Sequence, residues 1–208
     1  MNRKTLPSTL MALVMVLALP ISVFAQSTTD FRNDMRKLWE DHITWTRLYI
    51  VSAVAGLPNK DATAKRLLQN QTDIGNAIKP FYGDAAGAKL TALLKDHILI
   101  ATEVIDAVKA DDAAKKNETS NRWYANADEI AVFLSEANPK SWPLSEMKMM
   151  MKHHLDHTAS EVVNHVKKDW SADIADYDKV HGQILKMADM LSSGIIKQYP
   201  DKLKTASR

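Results

Sequence analysis

The chain has 208 residues, 46% hydrophobic and 25% charged, with only 6 Gly and 7 Pro; these values exclude a collagen-like or disordered chain and allow a sizeable core. Cysteine is absent, which removes disulfides, iron–sulfur clusters, c-type haem, thiolate zinc sites and lipidated Cys. The formal net charge is +2, without a Lys/Arg block or interleaved basic and aromatic residues, so nucleic acid and anionic membranes are disfavoured partners.

Arg3 and Lys4 precede an apolar stretch from Leu10 to Leu19, followed by Pro20 and then by Val23 and Ala25 at minus three and minus one of a cut before Gln26. This pattern predicts a secretory signal peptide over residues 1–25, because the apolar run is shorter than the roughly 20 residues of a membrane span. The expectation is a periplasmic or secreted protein, residues 26–208 forming one domain with no membrane span after processing. Processing removes Arg3 and Lys4 and no acid, so 25 basic side chains remain against 25 acidic ones.

Hydrophobic periodicity and stop signals then predict helices in order. The first runs from Asp30 to Ala55 and stops at Gly56-Leu57-Pro58. A weaker second covers Asp61 to Ile78 before Pro80, and a third covers Asp84 to Ala110. The fourth follows Asp111-Asp112 and ends at Ala137. The fifth begins at Pro143 and reaches Lys168; the sixth, capped by Ser171, reaches Gln198. No period-2 run bounded by turn residues occurs. The fold class is therefore all-α: an antiparallel bundle of about five long helices, with the second a shorter connector or lid.

Projection at 100° per residue gives each helix an apolar stripe. The fifth includes Leu144, Met147, Met151 and Leu155, and the sixth Ile174, Tyr177, Ile184 and Leu185. Histidines fall in or beside these stripes: His42 near Trp39 in the first, His97 in the third, His154 and His165 in the fifth, and His181 in the sixth. Asn126 takes a matching place in the fourth, and Glu161 lies seven residues beyond His154. A stripe covering about 40% of the circumference would catch about three of seven histidines by chance.

Imidazoles and a carboxylate from several helices at one depth of a bundle are what a transition metal requires. His42, His97, His154, His181 and Glu161 are thus candidate ligands for Zn, Cu or Fe. Haem b between two histidines is a further option. The competing reading is a non-catalytic structural or partner-binding module, in which the same residues form a buried hydrogen-bond network and Arg47 finds a carboxylate in Asp128 or Glu161. A second pattern, His153, His157, Glu161 and His165 at four-residue spacing, allows i,i+4 chelation of an exposed Zn²⁺ or Cu²⁺. Met147, Met149, Met150 and Met151 offer thioethers that suit Cu(I), but a Met stripe more often fills a core.

Known catalytic signatures are missing: only Asp178-x-x-His181 approaches a di-iron spacing, and there is no phosphate loop, nucleophile elbow or His-Glu-x-x-His. The reading is of a binding protein rather than an enzyme. The segments Leu38–Arg47, Trp123–Ala131 and Met187–Met190 resemble an uncharacterised bacterial helical-bundle family, some of whose members carry acetylglutamate kinase or glycosyltransferase labels. The resemblance spans nearly all of the mature chain. It implies one domain of these helices, makes Trp39, His42, Arg47, Asn126 and Asp128 part of the family pattern, and carries no established activity.

Overall fold

Local signals start and stop the helices of the computed structural model, which describes residues 26–204. The expected signal peptide and its cut after Ala25 lie outside the described residues. The helices are α1 (Thr28–Ala55), α2 (Lys60–Tyr82), α3 (Asp84–Lys109), α4 (Ala113–Ala137), α5 (Leu144–Lys167) and α6 (Trp170–Gln198). Ser27 caps α1 by accepting the Asp30 N–H at 3.0 Å, and Gly56 closes it in the left-handed conformation, φ 64°. Asp112 caps α4 in the same way. The cap of α6 is Asp169, not Ser171: its carboxylate accepts the Ala172 N–H, and the helix begins one residue before Ser171.

Each helix packs on its neighbours in the chain, and α6 returns to α1, so the bundle closes into a ring of antiparallel neighbours. The parallel set α1, α3 and α5 also meets across the middle. Residues that these three helices send inward at equal depth therefore share one central layer.

The second helix, expected to end at Ile78 as a connector or lid, is instead a full wall of the ring. It runs through Pro80 to Tyr82, and Leu67, Ile74, Ile78 and Phe81 are buried. Its closeness to α3 depends on two glycines. A Cβ on Gly75 would come within 2.6 Å of the Gly87 carbonyl oxygen, and one on Gly87 equally close to that of Gly75. Proline in the last turn forfeits only one helical hydrogen bond, and the chain continues because Phe81 packs on Phe31, ring centres 5.0 Å apart.

Two residues of the expected stripes are exposed. Leu144 sits at the first turn of α5, and Ile174 is displaced because the buried face of early α6 carries Asp173, Asp176 and Val180. The true stripe there is offset from the apolar one by one residue, or about 100°. The ends of the described chain are tied together by Thr28 N–H to the Lys204 carbonyl, 2.8 Å, and Lys204 N–H to that of Gln26, 3.0 Å. None of the described helices is long and apolar enough to cross a membrane.

Candidate functional site

Three of the candidate histidines converge. His42 on α1, His97 on α3 and His154 on α5 are each no more than 4% exposed. They are the fifteenth, fourteenth and eleventh residues of three helices that start at the same end of the bundle. The His154 ring lies 5.7 Å from that of His42 and 6.4 Å from that of His97, centre to centre. Trp39 flanks His42 at 5.9 Å, and Trp123 flanks His97 at 5.3 Å.

The partners of these rings specify their protons. Asn126 Oδ1 can only accept, so the 2.8 Å contact makes His97 Nδ1 the donor and leaves Nε2 with a lone pair in the neutral ring. Asn126 is oriented in turn by donating to the Leu93 carbonyl at 3.2 Å. His42 Nδ1 faces the Gln71 amide nitrogen at 3.2 Å; that nitrogen also donates to the Leu67 carbonyl at 2.8 Å. His154 Nδ1 has no partner, and neither do the indole N–H groups of Trp39 and Trp123 nor the side-chain carbonyls of Gln71 and Gln183.

Burial disfavours the charged form and holds all three imidazoles neutral. It lowers the pKa of His42 to about 3, helped by repulsion from His97, and that of His97 to about 4. His154 is held well below the ordinary histidine value by burial, then by His42 and His97.

A second polar cluster occupies another level of the bundle. Arg47 of α1 forms a two-pronged pair with Asp173 of α6, its Nη2 2.6 Å from Oδ2, and donates Nη1 to Glu161 of α5 at 3.0 Å. His165 Nδ1 donates to Asp173 Oδ2 at 2.8 Å. Burial pushes the Glu161 carboxyl up to about 7 despite Arg47. Burial opposes ionisation of Asp173 too, but hydrogen bonds from Arg47 and His165 outweigh it and hold that carboxyl below its ordinary value.

Two candidate ligands thus stand apart from the triad. Glu161 is two turns along α5 from His154, about 10 Å of rise, and is engaged by Arg47. His181 is not a core residue. Antiparallel α1 and α6 are joined by the rungs Arg36–Asp189, Glu40–His181 and Arg47–Asp173, and His181 Nε2 meets Glu40 at 2.9 Å on the half-exposed side. Asp128, offered as an Arg47 partner, is exposed and pairs with Lys148 at 2.7 Å.

The sequence reading missed Asp173, Asn70 and Gln71. Asn70 and Gln71 are completely buried and adjoin α1, with Asn70 Nδ2 donating to the Leu38 carbonyl at 2.9 Å. Asp173 was detectable as an acid three residues before Asp176 and seven before Val180, on a face that needs a buried cation. Among the described residues, no group of three or more His, Asp or Glu side chains stands ready to hold a metal ion. No family model matches the chain, and neither does any curated protein or solved structure.

Proposed function

We propose that this is an exported helical-bundle protein that binds one transition-metal ion in its core through His42, His97 and His154. The observation that carries the reading is the meeting of three buried, neutral imidazoles from three helices. Neutral imidazole is the form that coordinates. Two imidazoles on one ion at about 2.0–2.1 Å per nitrogen have ring centres at most about 6.5 Å apart, and the separations from His154 are 5.7 and 6.4 Å. The larger of these approaches the limit for nitrogens on opposite sides of the ion, so three histidines on one ion require the side chains to turn and draw closer. The Nδ1–H of His97 on an amide carbonyl resembles the outer-shell support of a histidine ligand.

A second reading, a non-catalytic module held together by buried polar networks, is favoured by the Arg47–Glu161–Asp173–His165 cluster, in which every member has a partner. Elemental analysis of the exported chain purified without an affinity tag, with melting curves in Zn²⁺, Cu²⁺ and Fe²⁺, separates the two. The metal reading expects one bound ion per chain and a metal-dependent rise in Tm that His97→Leu abolishes. No bound metal, together with melting curves that none of the three ions shifts, would establish the structural reading instead.

A further inference from the structure

A groove of about 590 Å³ lies between α1, α2 and the chain end at Lys202 and Leu203, within the size range of small-molecule sites. Its apolar lining is Phe31, Met35, Leu38, Ala77, Phe81 and Leu203. Phe31 and Phe81 pack together at one end, ring centres 5.0 Å apart, and Asp41 and Arg66 stand at the other. The bond from Asn70 to the Leu38 carbonyl fixes the register of the two helices between these ends. From Phe31 to Asp41 the lining follows α1 for about 15 Å of rise.

The rim carries three acids and three bases. Each acid has a donor: Asp34 accepts from Gln26 at 2.6 Å, Asp41 from Lys37 at 2.6 Å and Asp73 from Gln69 at 2.9 Å. Of the bases, Lys37 pairs with Asp41, and Arg66 stands 3.8 Å from Asp41 and 3.7 Å from Asp73. Lys202 has no carboxylate partner among the described residues. Its ammonium donates to the Pro80 carbonyl at 2.5 Å and lies 6.0 Å from the ring centre of Phe81 and 5.0 Å from that of Tyr199. An ammonium has three donors, so two are left for an acceptor at the Phe31 end of the groove.

We infer that this groove binds a free medium-chain carboxylate, its head on the Lys202 ammonium and its alkyl chain along Phe31, Met35, Leu38 and Ala77. The head gains a charge-assisted hydrogen bond, and the chain leaves water for an apolar trough. A trough that follows the seam of two antiparallel helices suits an extended chain better than a bulky body. A cationic amphiphile would meet Lys202 with like charge, and a neutral one would leave that ammonium without an anion. None of the triad histidines lines the groove, so the inference does not depend on metal binding.

The test is isothermal titration calorimetry of the purified chain with decanoate, decanol and decyltrimethylammonium, each below its micellar concentration, with circular dichroism confirming the fold of every variant. Decanoate is expected to bind at least about tenfold tighter than the other two probes. Lys202→Gln should cost decanoate about tenfold and leave decanol unchanged. Ala77→Leu, which fills the trough with another good helix former, should weaken decanoate by at least the same factor. Failure of decanoate to bind, equal affinity for the three probes, or decanoate affinity indifferent to either substitution would overturn the assignment. Sedimentation of the ligand-free chain at the same concentrations supplies the last arm: a dimer that Ala77→Leu disrupts would give the groove to a second copy of the chain and overturn the inference too.

Discussion

His97 donates to Asn126 from Nδ1, so neither residue can be changed alone without orphaning the other. His97→Leu leaves the buried Asn126 Oδ1 unsatisfied and is expected to destabilise the protein by about 1–3 kcal/mol, whereas His97→Leu/Asn126→Leu removes both polar partners and should recover most of that loss. Urea denaturation of both variants checks this; equal stability of the single and double variants would contradict it. At the second cluster, Arg47→Met strands two buried carboxylates, for an expected loss of about 3 kcal/mol. Arg36→Ala breaks a comparably short but half-exposed pair with Asp189, and its loss should stay below about 1 kcal/mol. The same denaturation series measures both. The contrast arises from solvent, which compensates Asp189 and cannot reach Glu161 or Asp173.

Among the helices, the crossing of α2 on α3 and the middle of α6 make opposite demands on glycine. Gly75→Ala and Gly87→Ala would each place a Cβ 2.6 Å from a backbone oxygen that cannot swing away, and a loss of about 1–3 kcal/mol is expected as the helices separate. Gly182→Ala enters open space on α6 and is expected to stabilise by up to about 1 kcal/mol through helix propensity. Chemical denaturation that ranked all three substitutions alike would show that the α2/α3 approach is not tight. Lys168, at φ 61°, ends α5 in the left-handed conformation usually given to glycine. The two-residue connection to α6 leaves no room to turn otherwise, and it delivers Asp169 as the next cap.

For the whole molecule, three imidazoles held neutral make stability depend on acid. Their folded pKa values lie below the unfolded value of 6.5, at about 3 for His42, about 4 for His97 and well below 6.5 for His154. The folded state therefore binds fewer protons than the unfolded one below pH 6.5. The stability is fully present above that pH and is lost as pH falls towards 4 and then 3. At pH 5 His42 and His97 each cost on the order of 2 kcal/mol, a loss to which His154 adds, against the 5–15 kcal/mol stability of an ordinary domain. Glu161 has the opposite sign: with its folded pKa raised to about 7, its uptake of a proton from pH 7 downwards offsets part of the loss. The groups facing the triad, Trp39, Trp123, Asn126, Gln71 and Gln183, are uncharged, and His157 adds only repulsion on His154. The expected outcome is a steep fall in denaturation free energy between pH 6.5 and 4.5. His97→Leu/Asn126→Leu should shallow the slope, and a slope unchanged by that substitution would show that carboxylates govern the acid transition.

The sequence by itself determined the helices and their class, because caps, prolines, glycines and 3.6-residue periodicity act within a few residues of chain. It also determined that Arg47 needs a buried carboxylate, with Glu161 as one candidate. Tertiary structure decided which polar residues meet. A projection gives each side chain a direction about its own helix axis, but neither the register between helices nor the rotation that a buried acid imposes. His42, His97 and His154 share a layer because α1, α3 and α5 run the same way and carry them at nearly equal depth. His181 left that layer because Asp173 and Asp176 turned the early face of α6 by about one residue towards Arg47, Ser160 and Asn164. Asp173 takes the buried place and Ile174 the exposed one, and the sequence of α6 does not carry the position of Arg47 on α1.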